Sequence, residues 1–330
     1  MTSRTDIIAI GNAIVDVIAR ADDAMIEGRG LAKGSMRLID EAEAGELYNA
    51  MGPGIEMSGG SAANTLAAMA ALGRKCAFVG QVADDQLGQV FHHDLTALGV
   101  EFTTPSRAGE PSTARCLILV TPDGQRTMNT FLGASQFLPA DALDEAQIAN
   151  ADALYLEGYL WDPQEPRAAM RRAISVAREA GTKVAFTLSD TFVIARHGDD
   201  FRALIDEGQV DILFANAAEA QALTGEADHD RAVAMLAKKV PLLIATNGEH
   251  GATGCRDGER ADVPAEPIEQ VIDTTGAGDL FAAGVLSALA EGRSLHDALT
   301  AGAICARAII AQVGPRAQVD LKALVAKRLG

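Results

Sequence analysis

A chain of 330 residues with 28 Lys plus Arg against 45 Asp plus Glu carries a formal charge of −17. That charge disfavours nucleic acid and anionic membrane surfaces as partners, and no basic patch offsets it. Its four cysteines, Cys76, Cys116, Cys255 and Cys305, are far apart and include no Cys-x-x-Cys, so neither a disulfide framework nor a zinc site is expected.

The chain has no basic leader followed by an apolar stretch and a cleavage site, and Asp16 interrupts the only early apolar run. A cytoplasmic protein is expected. Short apolar runs then alternate with longer amphipathic ones. Ile7–Gly11, Ala77–Gly80, Ala153–Leu156, Val184–Leu188, Ile212–Phe214 and Leu242–Ala245 read as strands buried on both faces. Ala62–Leu72, Gln86–Leu98, Arg167–Ala180, Ala217–Thr224 and Arg231–Lys238 have helical spacing. This β-α-β-α order predicts an α/β fold, a doubly wound and mostly parallel sheet flanked by helices, in one domain over residues 1–330. Two segments break the rhythm, about 14–40 and 113–131. The second alternates across Leu117, Leu119 and Arg126–Asn129 like an antiparallel pair, and the two segments predict a small β lid. From Asp279 onwards small-residue helices follow, Leu280–Ala290 and Leu295–Gln312, with a terminal helix from Asp320.

The chemistry-bearing residues cluster where strands end. Asn12 and Asp16 follow the first strand, at the carboxyl edge where open α/β sheets bind ligands, and a carboxylate there suits a vicinal diol. Gly59-Gly60-Ser61-Ala62-Ala63-Asn64 precedes an apolar helix; Asn64 either binds sugar hydroxyls or caps the helix. Asn216-x-x-Glu219 ends another strand, and it is either a capping box or an organiser of Mg²⁺ through water. Thr246, Gly248 and Gly251 follow a further strand, and their turn either admits a nucleotide or is only a turn. Asp273-Thr-Thr-Gly-Ala-Gly-Asp279 places an acid behind a small-residue turn. Gly276, Ala277 and Gly278 offer backbone N–H groups and a helix dipole to an anion, while Asp279 either caps the helix or takes a proton from a hydroxyl. Gly-x4-Gly-Lys-Ser/Thr, Gly-x-Ser-x-Gly and His-Glu-x-x-His are absent, as is Gly-x-Gly-x-x-Gly after the first strand.

In this order the segments resemble the ribokinase/PfkB carbohydrate kinase family over essentially the whole chain. Asp-Thr-Thr-Gly-Ala-Gly-Asp-Leu-Phe is similar to the family's closing signature and Gly-Gly-Ser-Ala-Ala-Asn to its substrate motif. The resemblance implies a ribokinase-like fold and an ATP-dependent kinase with Asp279 as base, a Gly276–Gly278 anion hole, and Asn216 and Glu219 serving Mg²⁺ and phosphate. Gly-Asn-Ala-Ile-Val-Asp-Val, Val-Asp-Ile-Leu-Phe-Ala-Asn-Ala-Ala-Glu-Ala and Gln-Arg-Thr-Met-Asn-Thr look most like the adenosine kinase branch, which implies adenosine as acceptor. Ribose, fructose or a ketodeoxy sugar acid are the alternatives within the family, and a non-catalytic nucleoside sensor lies outside the enzyme class. By the same matching Asn12, Asp16, Gly60, Ser61 and Asn64 would hold the ribose, and Arg126 would reach the transferred phosphate. Met36, Met128, Thr130 and Tyr159 would line the lid and base pocket, although both methionines also suit a core. Asp273 and Thr275 resemble the family's K⁺ site, with turn capping as the plainer role for Asp273. A small-molecule substrate, no nucleic acid or membrane, and a monomer or homodimer complete the expectation.

Overall fold

The computed structural model describes residues 4–312 and 314–330. Its strands in chain order are β1 (Thr5–Ile10), β2 (Ile14–Arg20), β3 (Met36–Leu38), β4 (Gly54–Gly59), β5 (Cys76–Val79), β6 (Val100–Phe102) and β7 (Ala114–Val120). They continue as β8 (Arg126–Phe131), β9 (Ala151–Glu157), β10 (Lys183–Thr187), β11 (Ile212–Asn216), β12 (Leu242–Thr246), β13 (Ala252–Arg256) and β14 (Glu259–Val263).

Nine strands form one sheet in the order β14-β13-β12-β11-β10-β9-β1-β5-β6. All pairs from β12 across to β6 are parallel, as a β-α-β rhythm requires. The apolar runs are continuous because both faces are covered. On β1, Ile7 and Ala9 join the core under one helical layer and Ile8 and Ile10 the core under the other, and none of the four is more than 1% exposed. The expected α/β class, a mostly parallel sheet flanked by helices, follows from this architecture.

Three elements of the large sheet go beyond the sequence expectation. β6 is a three-residue edge strand, and β13 and β14 form an antiparallel hairpin on the opposite edge. Asp257 at φ 50° and Gly258 at φ 83° make its two-residue turn, the geometry that Asp-Gly favours in a hairpin. A helix at Thr191–Asp206 was also not anticipated; Asp190 caps it by accepting from Phe192 N at 3.0 Å.

A second, five-stranded sheet has the order β3-β8-β7-β2-β4. β7 and β8 pair antiparallel, whereas β2 runs parallel to β7 and β3 parallel to β8. β4 lies outside the two segments that broke the rhythm, and pairs antiparallel with β2 so that Asp16 faces Met57 across the ladder.

Candidate active site

A cleft of about 720 Å³ opens at the carboxyl ends of the parallel strands, with the five-stranded sheet as its other wall. The strand ends bring Asn12, Glu157, Thr187, Asn216 and Thr246 to it, and β2, β3, β7 and β8 bring Asp16, Met36, Cys116, Met128 and Thr130. Among the described residues no group of three or more His, Cys, Asp and Glu side chains could hold a metal ion by itself. No helix of the described residues is long and apolar enough to cross a membrane.

The Asp273–Asp279 turn contributes Thr275, Gly276, Ala277, Gly278 and Asp279 to the lining. The helix it opens runs Ala277–Ala290, so Asp279 sits within the first turn instead of before it. Gly276, at φ 77°, is the N-cap and supplies no side-chain bond. Ala277 N–H turns back to the Thr274 carbonyl at 3.2 Å, which leaves the amides of Gly278 and Asp279 as helix-start donors without an intrahelical acceptor. Asp279 is instead held from another element. Ser61 Oγ donates to its Oδ1 at 2.6 Å and Asn64 Nδ2 to its Oδ2 at 3.1 Å. Burial raises its carboxyl above the usual value, opposed by these two bonds and by the Arg316 charge.

Ser61 and Asn64 reach Asp279 because their helix, Ser61–Ala71, starts tightly against the first strand's exit. Gly60 is its N-cap at φ 93°, and a Cβ there would sit 2.2 Å from the Asn12 carbonyl. Glycine at this position therefore serves the close approach of two chain segments. Asn12 is largely engaged by protein: its N and Nδ2 both donate to Glu157 Oε1 at 2.7 Å, and its Oδ1 accepts from Ser135 Oγ at 2.9 Å. Glu157 Oε2 accepts from Ala62 N at 2.8 Å. Glu157 is fully buried, and burial pushes its carboxyl up to about 7 against those bonds.

Asp16 differs from both acids. It is 7% exposed, and the influences on it are burial, which raises its carboxyl to about 6, then the lowering charges of Arg316 and Arg126, then the raising charge of Asp279; no hydrogen bond from the described residues is among them. A buried carboxylate without donors is costly unless a ligand supplies them.

Asn216 and Glu219 form a complete capping box at the start of Ala217–Thr224. Glu219 N donates to Asn216 Oδ1 at 2.9 Å, Asn216 N to Glu219 Oε2 at 3.0 Å, and Asn216 Nδ2 to Glu219 Oε1 at 2.6 Å. Both residues line the cleft, and burial lifts the Glu219 carboxyl to about 7. Each Glu219 oxygen accepts one bond, so each keeps a lone pair for water.

The remaining residues divide. Thr130, Tyr159, Met36 and Met128 line the cleft, with Met36 43% exposed. Thr246 lines it too, but Gly248 and Gly251 do not. A Cβ on Gly251 would meet the Val263 carbonyl at 2.0 Å, so that glycine serves the packing of the β13–β14 hairpin. Arg126 also lies outside the lining. Its Nη1 is 2.9 Å from Asp273 Oδ2, with both side chains buried. Asp273 also accepts from Thr275 N at 3.0 Å and Gly314 N at 3.3 Å. In this structure the Arg126 guanidinium pairs with the carboxylate beside which a potassium ion was expected.

Two residues escaped the sequence reading. Glu157 ends an apolar strand with an acid, the same signal that singled out Asp16. Arg316 lies in an irregular segment after Leu295–Ile310. Its Nη1 donates to Asn64 Oδ1, and its Nη2 to Ser58 O at 2.6 Å and Ser58 Oγ at 2.8 Å.

A family model described as pfkB family carbohydrate kinase matches residues 4–322. The chain belongs to that family. It is 46% identical to the adenosine kinase from Sinorhizobium meliloti, whose structure superposes with a TM-score of 0.91 over 98% of this chain and 99% of that one. A probable sugar kinase from Rhizobium etli CFN 42 is 42% identical, with a TM-score of 0.91 and 98% of each chain covered. The curated ribokinase of Haemophilus influenzae is 27% identical over 80% of this chain and 84% of its own length. This PfkB kinase is thus a phosphotransferase with an alcohol group as acceptor, of an ATP-using family, and close to adenosine kinase structures.

Proposed function

We propose that this kinase transfers the γ-phosphoryl group of ATP to the primary 5′-hydroxyl of a ribonucleoside, with adenosine the preferred acceptor and AMP the product. The observation that carries the reading is the pairing, in one cleft, of a donor-free buried carboxylate, Asp16, with a carboxylate held in place at a helix start, Asp279. Asp16 accepts from the ribose 2′- and 3′-hydroxyls, whose O–H groups supply the bonds it lacks. Asn64, Ser61 and Gly60 complete that end. Met36, Met128, Thr130 and Tyr159 line the base side. Asp279 takes the proton of the primary hydroxyl as the oxygen attacks the phosphorus, and the helix-start amides of Gly278 and Asp279 stabilise the charge that spreads over the phosphoryl oxygens.

Asn216, Glu219 and Thr246 serve the nucleotide end. A magnesium ion there would neutralise phosphate charge. Glu219 fits it through water, because both of its oxygens already accept within the capping box. The five-stranded sheet acts as a lid of the single domain, and closure excludes water, the competing acceptor. Arg126, at the start of β8, would exchange Asp273 for the transferred phosphate on closure.

The 46% identity to the Sinorhizobium meliloti adenosine kinase supports adenosine. The ribokinase and the probable sugar kinase support a second reading, a free sugar as acceptor. ADP release measured with adenosine, inosine, ribose and fructose separates them. Adenosine is expected to give the highest kcat/KM, and a higher value for ribose or fructose overturns the nucleoside reading.

A further inference from the structure

Arg316 reaches the back of the cleft without lining it, and its contacts form a directional chain. Asp94, on the helix Gln86–Ala97, accepts from Ser58 N at 2.8 Å and from Ser58 Oγ. Ser58 Oγ, its proton given to Asp94, accepts from Arg316 Nη2 at 2.8 Å. The guanidinium's other arm donates to Asn64 Oδ1. Asn64 then has its NH₂ group left for Asp279, which it reaches at 3.1 Å. An amide carbonyl and an amide NH₂ have nearly the same shape, so packing alone does not choose between the two flips of Asn64. A guanidinium has donors only and therefore does choose. The reversed amide would set NH₂ against guanidinium and carbonyl oxygen against carboxylate.

We propose that Arg316 is a positioning residue that locks the Asn64 amide with its NH₂ group on Asp279 and so aims that carboxylate at the acceptor hydroxyl. The inference rests on the reading of Asp279 as the base. The charges acting on Arg316 are Asp16 from β2, Asp94 from Gln86–Ala97 and Asp279; Arg126 from β8 acts on Asp16, and Glu157 from β9 feels the charge of Asp279. Arg316 is the largest charge lowering the Asp16 carboxyl, and it also lowers that of Asp279. Replacing it by a neutral side chain therefore raises both groups and moves the acid limb of the rate profile to higher pH.

The test is the pH profile of ADP release, with kcat and KM separated, for wild type, Arg316→Met, Arg316→Lys, Asn64→Ala and the pairwise combinations with Asn64→Ala. Arg316→Met is expected to lower kcat about 10- to 100-fold, to leave KM for ATP unchanged and to shift the acid limb upwards. Arg316→Lys restores the limb through its charge but only part of kcat, because one ammonium does not reproduce the fork that spans Ser58 and Asn64. In the Asn64→Ala background the loss in kcat from either Arg316 substitution shrinks markedly, since the group it positions is gone. Should Arg316→Met fail to fold, Arg316→Lys and its cycle with Asn64→Ala carry the same decision. Additive losses, or an acid limb unmoved in Arg316→Met, overturn the proposal. Wild-type protein that releases no ADP with any acceptor overturns the kinase reading, and this inference with it.

Discussion

Two helix starts face the same cleft, and both place an acid in the first turn. At Ala217–Thr224, Glu219 is bonded within three residues, by the backbone and side chain of Asn216. At Ala277–Ala290 the cap is a glycine with no side chain, and Asp279 takes its bonds from Ser61 and Asn64, 218 and 215 residues away in sequence. The first arrangement satisfies itself, so helix capping accounts for most of its geometry. The second needs the whole fold to assemble it and contributes little to capping. A buried acid oriented by distant side chains is the better candidate for chemistry, while a self-satisfied one serves a ligand only at its free lone pairs.

Substitutions that strike the two starts differently probe this contrast. Asp279→Asn removes the base with little change in shape, and kcat is expected to fall about a thousandfold. Asp16→Asn replaces the unpaired acceptor of the cleft, and kcat/KM for the acceptor is expected to fall about a hundredfold with KM for ATP unchanged, as steady-state kinetics would read. Glu219→Gln keeps an acceptor toward one bond of the box and lowers kcat/KM for ATP about tenfold. Asn216→Ala costs about 1 kcal/mol of stability in denaturant unfolding through the lost cap. Exchanging potassium for sodium tests whether the Arg126–Asp273 pair opens on closure: unchanged turnover shows that the pair stays closed, and a potassium requirement shows that Asp273 takes the ion once Arg126 moves to the phosphate.

The acids also separate by pH. Asp16 titrates near 6 in the folded protein against an ordinary 3.8. Between those values the folded state binds the proton more tightly, so this group adds stability at low pH and loses that contribution as pH rises through about 6. Acceptor binding runs the other way, because only the ionised carboxylate accepts both hydroxyls. KM for the acceptor is expected to rise as pH drops below about 6, while the fold is not weakened through Asp16.

Much of this was legible in the chain itself. Both-face apolar runs announced the parallel strands, and the glycine turn before Asp279 announced the helix start. The hairpin β13–β14 carried an Asp257-Gly258 signal that went unread amid polar residues. β4 holds only six residues with two exposed at its start, and its pairing with β2 depends on tertiary contact. Arg316 had no local signature, since no periodicity marks an irregular segment and its partners are Asn64 and Ser58, 252 and 258 positions away. Gly60 and Gly251 were marked by composition as open to a ligand; Gly60 lines the cleft as well as accommodating the Asn12 carbonyl, whereas Gly251 only accommodates neighbouring backbone. Sequence shows which positions lack a side chain but not what fills the space.

The central claim is that Asp279 removes the proton of the acceptor hydroxyl. Single-turnover phosphoryl transfer by Asp279→Asn, at saturating ATP and adenosine with ATP binding measured on the same sample, tests it most directly. The account predicts ATP binding close to wild type and transfer lost by orders of magnitude. Transfer at a rate near wild type would contradict it.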